Sequence, residues 1–217
     1  IDMKTMSDPS SLFGIMGKLF MNDNKTLKDF LNENEYKQVA DYFNEMGLPL
    51  FMLEKIKPMF LSAFAMIDMN PKSMEEGKVK SYEMEFYEIA QDKNLPTGGL
   101  ETIDFQISVF DSIPYADQAK MLLETIKSSS TENDEMKIMV DLYKTQNIEG
   151  MIKMMSEGDH DLGAHEDILL TKRNQNWIST ITNESKSQPT FYAVGAGHLA
   201  GKNGVIHLLR KAGFVVK

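Results

Sequence analysis

Thr190-Phe-Tyr-Ala-Val-Gly-Ala-Gly-His-Leu-Ala-Gly-Lys-Asn-Gly-Val-Ile-His-Leu-Leu-Arg-Lys-Ala-Gly-Phe-Val-Val-Lys217 is the stretch whose reading decides the fold. Phe191 to Val194 is a short β-prone run, and Gly195 and Gly197 end it. Val205, Leu208 and Leu209 then repeat at helical spacing, with Gly213 as a stop signal. The pattern predicts strand, glycine turn, helix, glycine, strand. His198 falls in the turn at the strand's C-terminal end, where open α/β sheets bind their ligands.

Three readings of that turn compete. The glycines can simply relieve strain in a tight strand-to-helix connection. Gly195-x-Gly197-x-x-Ala200 also matches the looser dinucleotide fingerprint. That fingerprint requires an acidic residue about 20 positions on, and Val215-Val216-Lys217 offers none there. In the third reading His198 is a metal ligand or an acid/base group, and Gly195 and Gly197 let the backbone approach a bound ligand.

Composition narrows the partners. A chain of 217 residues buries a full core as one domain. Its net charge of −9, with no dense basic run, argues against nucleic acid and anionic membrane surfaces. There is no cysteine, which excludes disulfides and thiolate chemistry but fixes no compartment. No stretch approaches the roughly 20 apolar residues that span a bilayer. Met59 to Ile67 reads as a buried helix. The sequence shows no signal peptide, which says little because it begins at Ile1 rather than at an initiator methionine. The 17 methionines fit core filling or an adaptable partner surface.

Helical periodicity dominates the body of the chain. Leu12, Ile15, Met16 and Leu19 share one face. Tyr36, Val39, Ala40, Phe43 and Met46 share another, capped by Asn32 or Asn34 and stopped by Gly47. Pro49, Pro58 and Pro114 start further helices. Asp68 to Lys80 reads as a loop, Ser81 to Lys93 as a helix, and Ser128 to Asp134 as a polar linker. Leu95 to Leu100 reads as a turn and short strand, which puts Glu101 at a strand's C-terminal end. Ile103, Gln106, Ile107 and Phe110 then form one helical stripe, so the Gln106 amide needs a partner. Glu101 is either a catalytic carboxylate or a charge that complements a helix N-terminus.

Asp159, His160, Asp161, His165 and Glu166 form a metal-tempting cluster, but their spacing matches no common site. In the helix that follows, Leu170, Trp177, Ile178 and Ile181 define an apolar face, and Arg173 and Asn174 fall on it. A buried guanidinium is costly unless paired. Arg173 therefore serves either a site or a structural ion pair.

Val194-Gly-Ala-Gly-His-Leu-x-Gly-x-x-Gly-Val-x-x-Leu-Leu-x-x-x-Gly-Phe-x-Val216 resembles the C-terminal signature of the TraB/GumN family, which includes the Tiki-type metalloproteases. That family carries two Gly-x-x-His motifs, and Gly195 to His198 matches the second. Gly-Leu-Glu101-Thr with Gln106, and Arg173-Asn174-x-x-Trp177, resemble two more of its motifs. Ser81-Tyr82-Glu83 departs from a Gly-hydrophobic-Asp motif, leaving Glu83 as the carboxylate at that place. Ile1-Asp2 looks like the tail of a Glu-hydrophobic-Asp strand end, which implies that the first Gly-x-x-His lies upstream of Ile1.

The resemblance implies an α/β fold, a helix-rich single domain over residues 1–217 with a small mixed β-sheet. It also implies a metal-dependent hydrolase, in particular a peptidase, using a divalent ion such as Mn²⁺ or Co²⁺ to activate water. In that scheme His198 is a metal ligand and Glu101 a second ligand or the general base. Arg173 stabilises the oxyanion, and Asn174 and Gln106 orient ligands. One histidine and one carboxylate are few for a metal, so this chain by itself is expected to bind metal weakly. The partner is a peptide or small-molecule substrate, in a periplasmic or cell-surface setting. The rival implication is a non-catalytic binder of peptide or pheromone-like ligands in the same cleft.

Overall fold

The computed structural model describes residues 1–6, 8–66, 81–130, 134–157 and 165–217. They form two compact units, Ile1–Glu132 and Asn133–Lys217. Most of the helical periodicities become helices. The expected sheet does not form: there is no strand among the described residues, so the protein is helix-rich rather than α/β.

In the first unit the helices are α1 (Met3–Met6), α2 (Pro9–Met16), α3 (Glu33–Glu45), α4 (Pro58–Met66), α5 (Tyr82–Asp92), α6 (Ile103–Asp111) and α7 (Tyr115–Ser130). Asn32 starts α3 because its side chain accepts the backbone N–H groups of Asn34 and Glu35, while the Glu35 carboxylate accepts the N–H of Asn32. Gly47, at φ +76°, follows the helix's end in a conformation that disfavours other residues. Helical spacing points Val39 and Phe43 inward, against Leu27, Leu50 and Leu61 and against Ala119, Leu122 and Ile126 of α7.

One fully buried polar joint braces this interior. Gln118 accepts the Met59 N–H through Oε1 and donates through Nε2 to the carbonyls of Phe110 and Ile113. It thereby satisfies backbone groups at the end of α6 and the start of α4. Beside it, buried Lys57 pairs with the half-exposed carboxylate of Asp111.

The predicted strand ends of this unit are irregular segments. Ile1 and Asp2 lead into α1, and Leu95–Leu100 forms no ladder. The two nevertheless pass closely, because a Cβ on Gly99 would lie 2.5 Å from the Asp2 nitrogen. The described residues contain one isolated antiparallel bridge, Phe20 with Ile56.

The second unit contains α8 (Asp134–Lys144), α9 (Ile148–Glu157), a five-residue π-helix (Asp167–Thr171), α10 (Lys172–Ser187), a 3-10 turn (Ala196–His198) and α11 (Val205–Lys211). Phe191 to Val194 takes no regular structure and has no ladder partner among the described residues. A run becomes a strand only when a neighbour supplies the hydrogen bonds, and here the Tyr192 hydroxyl instead reaches the Ile181 carbonyl on α10. Phe191 is 73% exposed. The second expected strand, Phe214 to Val216, is also unpaired; its Val216 carbonyl accepts from the Arg210 guanidinium. Gly213 stops α11 at φ +93°, as its place in the sequence predicts.

The loop expected at Asp68–Lys80 lies outside the described residues. So do Asp159, His160 and Asp161 of the metal-tempting cluster. Ser128 to Ser130 continue α7.

Candidate functional site

The second unit gathers four side chains that the sequence singles out. Arg173, Asn174 and Trp177 lie on the first turn and a half of α10, and His198 lies in the 3-10 turn after residues 191–194. All four are buried, Asn174 at 2% exposure and His198 at 8%.

The turn that carries His198 is closed by backbone bonds, from His198 N–H to the Gly195 carbonyl at 2.9 Å and from Leu199 N–H to Ala196 at 3.0 Å. Gly195 carries no steric demand for glycine of its own. Gly195 has φ −57°, and the nearest atom to a Cβ there would be His198 Cδ2 at 3.8 Å, an ordinary contact. Gly197 sits inside the 3-10 turn. Gly201 instead takes φ +78°, and a Cβ on Gly204 would fall 2.1 Å from the Ala200 carbonyl oxygen. These two positions need glycine. The Gly201 N–H is held by the Glu149 carboxylate of α9 at 3.3 Å. Sequence reading missed Glu149, since nothing local links it to a turn 52 residues away.

His198 Nδ1 lies 2.6 Å from Asn174 Oδ1, and the same amide donates through Nδ2 to the Asn203 carbonyl at 2.9 Å. The imidazole packs on the Trp177 ring, with centroids 4.5 Å apart and planes inclined by 44°. Arg173 sets its guanidinium over the same indole, 5.3 Å from the centroid. Its Nη1 donates to the Leu169 carbonyl at 3.0 Å. Leu169 belongs to the π-helix, whose widened turns leave the Lys172 N–H reaching Asp167, five residues back. Such a segment beside a buried polar cluster is a common mark of a functional place.

Glu101 and Gln106 stand in the first unit. Glu101, half-buried, precedes Thr102, and the hydroxyl of Thr102 caps α6 by accepting the Phe105 N–H. Gln106 is half-buried on the inner face of α6, beside Ile107. Glu83, at the departing motif, accepts the Ser81 hydroxyl at 2.7 Å, and that bond holds its carboxyl below the usual range. Glu83 therefore acts at the start of α5, where Ser81 is the cap.

A divalent cation needs three or four ligands of the imidazole, thiolate or carboxylate class. Among the described residues no group of three or more such side chains converges. His198 offers one donor, and the Arg173 guanidinium over the same indole adds positive charge. The described donor set is thus not a metal site by itself.

A family model described as TraB/PrgY/gumN matches residues 1–217, the whole of the sequence. The chain belongs to the TraB/PrgY/gumN family. No curated protein sequence and no solved structure matches it. For this TraB/PrgY/gumN member, the family assignment is compatible with either a hydrolytic or a binding role.

Proposed function

We propose that the chain is a hydrolase acting on peptide or related acyl bonds, with His198 as its working group. The observation that supports this reading is the burial of a histidine whose Nδ1 is engaged by a side-chain amide and whose face is covered by indole. An imidazole held in this way is oriented to work through its other nitrogen. In the proposed step His198 Nε2 takes a proton from water as the oxygen adds to the carbonyl carbon. Arg173 faces the charge that grows on the carbonyl oxygen. Asn174 holds the ring, and Trp177 keeps water from its face. The divalent ion implied by the resemblance, Mn²⁺ or Co²⁺, requires ligands beyond this cluster, and no step is assigned to it. A periplasmic or cell-surface setting goes with this reading on resemblance alone.

The rival reading is a non-catalytic binder of peptides. It is favoured by the cluster's make-up, because arginine and tryptophan are common recognition anchors and, among the described residues, one imidazole is its acid/base group. Incubation of the purified protein with a peptide library, with and without Mn²⁺ or Co²⁺, separates the two. The hydrolase reading expects turnover that His198→Ala removes. Saturable peptide binding without cleavage in any condition would replace it with the rival.

A further inference from the structure

The turn from Leu199 to Gly204 does more than return the chain to α11. At Gly204 a Cβ would meet the carbonyl oxygens of Ala200 at 2.1 Å and Leu199 at 2.4 Å. The turn can close this tightly only around glycine. Closure brings the Asn203 carbonyl to Asn174 on α10, where it accepts the Nδ2–H of that amide at 2.9 Å.

A carbonyl oxygen accepts and never donates. The Asn174 amide therefore has one allowed orientation, because the flipped form would set its own oxygen against the Asn203 oxygen. With Nδ2 committed to Asn203, the atom facing His198 Nδ1 at 2.6 Å is Oδ1, again an acceptor only. The hydrogen between them must then sit on Nδ1. In the neutral ring this leaves the lone pair on Nε2.

We propose that Asn174 is a positioning residue that fixes His198 as the Nδ1–H tautomer, and that the Leu199–Gly204 turn fixes Asn174 in its turn. The catalytic meaning of this arrangement rests on His198 being the working group; the tautomer itself does not. Two structural details follow. The short polar side chain at 174 matters for its two opposite atoms rather than for its volume. The glycine at 204 acts on His198 without touching it.

The test is a long-range ¹H–¹⁵N correlation spectrum of the histidine rings in ¹⁵N-labelled protein. It is recorded where the ring is neutral, with His198 assigned by its loss in His198→Gln. The expected spectrum shows a pyrrole-type Nδ1 and a pyridine-type Nε2. Asn174→Leu should move both resonances toward the Nε2–H form that free histidine prefers, whereas Asn174→Asp keeps an acceptor and should retain the Nδ1–H pattern. A pyridine-type Nδ1 in the native protein, or unmoved resonances in Asn174→Leu, overturns the proposal. If Asn174→Leu does not fold, the native spectrum and Asn174→Asp decide it.

Kinetics then separate this idea from the one beneath it. Where peptide turnover is found, Asn174→Leu should lower kcat by about 10- to 100-fold with little change in KM, and Asn174→Asp should restore part of the loss. An Nδ1–H ring in a protein without turnover sinks the hydrolase reading and leaves this one standing. Turnover that depends on His198 with a pyridine-type Nδ1 does the reverse.

Discussion

Ile1–Glu132 fills its interior with Leu27, Val39, Phe43, Leu61 and Leu122, whereas Asn133–Lys217 places Thr171, Arg173, Asn174 and His198 among its buried side chains. Each large apolar side chain taken out of water stabilises by roughly 1.5–3 kcal/mol. A polar side chain buried in the same way costs free energy until its hydrogen bonds are replaced. The second unit therefore holds these groups inside at the expense of stability, and its amide and guanidinium bonds only offset that loss. The first unit buries Lys57, Ser62 and Gln118 as well, so the contrast is one of proportion. Polar groups are isolated joints in its large apolar core, whereas in the second unit Arg173, Asn174 and His198 cluster on one indole and one amide.

The largest expected effect lies in the apolar unit. Phe43→Ala removes a fully buried ring from the centre of the core and should destabilise by about 3–5 kcal/mol, read as a lower urea midpoint by far-ultraviolet circular dichroism. A loss near that of a surface change would break the contrast at its base.

A sharper trial makes the same substitution in both units. Gln118→Leu and Asn174→Leu each strip a buried amide whose two ends are engaged. Each should cost roughly 1–3 kcal/mol, because backbone or ring groups lose their partners. Peptide turnover or binding should survive Gln118→Leu once folding is corrected for, and should fall in Asn174→Leu. Equal functional losses in the two would erase the distinction.

Smaller effects mark the surface of the first unit. Asn32→Ala removes the cap of α3 and should cost about 1 kcal/mol in the same urea experiment. Lys37→Ala breaks an exposed pair with Asp41 four residues on, and a change beyond about 0.5 kcal/mol would be out of line for such a pair.

The sequence announced the helices because their signals are local. The cap at Asn32 and the Val39–Phe43 face lie within a few turns of one another; of the two caps offered, Asn32 and Asn34, the structure uses Asn32. Arg173 and Asn174 were also legible. Their spacing from Leu170 aimed them at the interior, where the structure has them.

The sheet was a false expectation for an equally physical reason. Phe191 to Val194 shows only that the run wants cover; its hydrogen-bonding neighbour is non-local. Here Tyr192 found α10 instead of a strand. The steric demands of the turn were also hard to read from the sequence. The motif drew the eye to Gly195 and Gly197, whereas at Gly201 and Gly204 the left-handed backbone and nearby carbonyls enforce glycine, and the motif does not mark that need. Nor could Glu149 be read from its neighbours, because its partner is a backbone N–H far along the chain.

Trp177 is the only tryptophan in the sequence, and it lies against His198 with its ring under the Arg173 guanidinium. The protein's indole emission, excited selectively above the tyrosine band, therefore originates at this one place. Imidazole quenches an adjacent indole more strongly once it carries a charge, and a ligand settling beside the ring shifts its emission by changing the local polarity. Occupancy of the cluster can thus be followed without label or substrate, in the native chain, simply by its light.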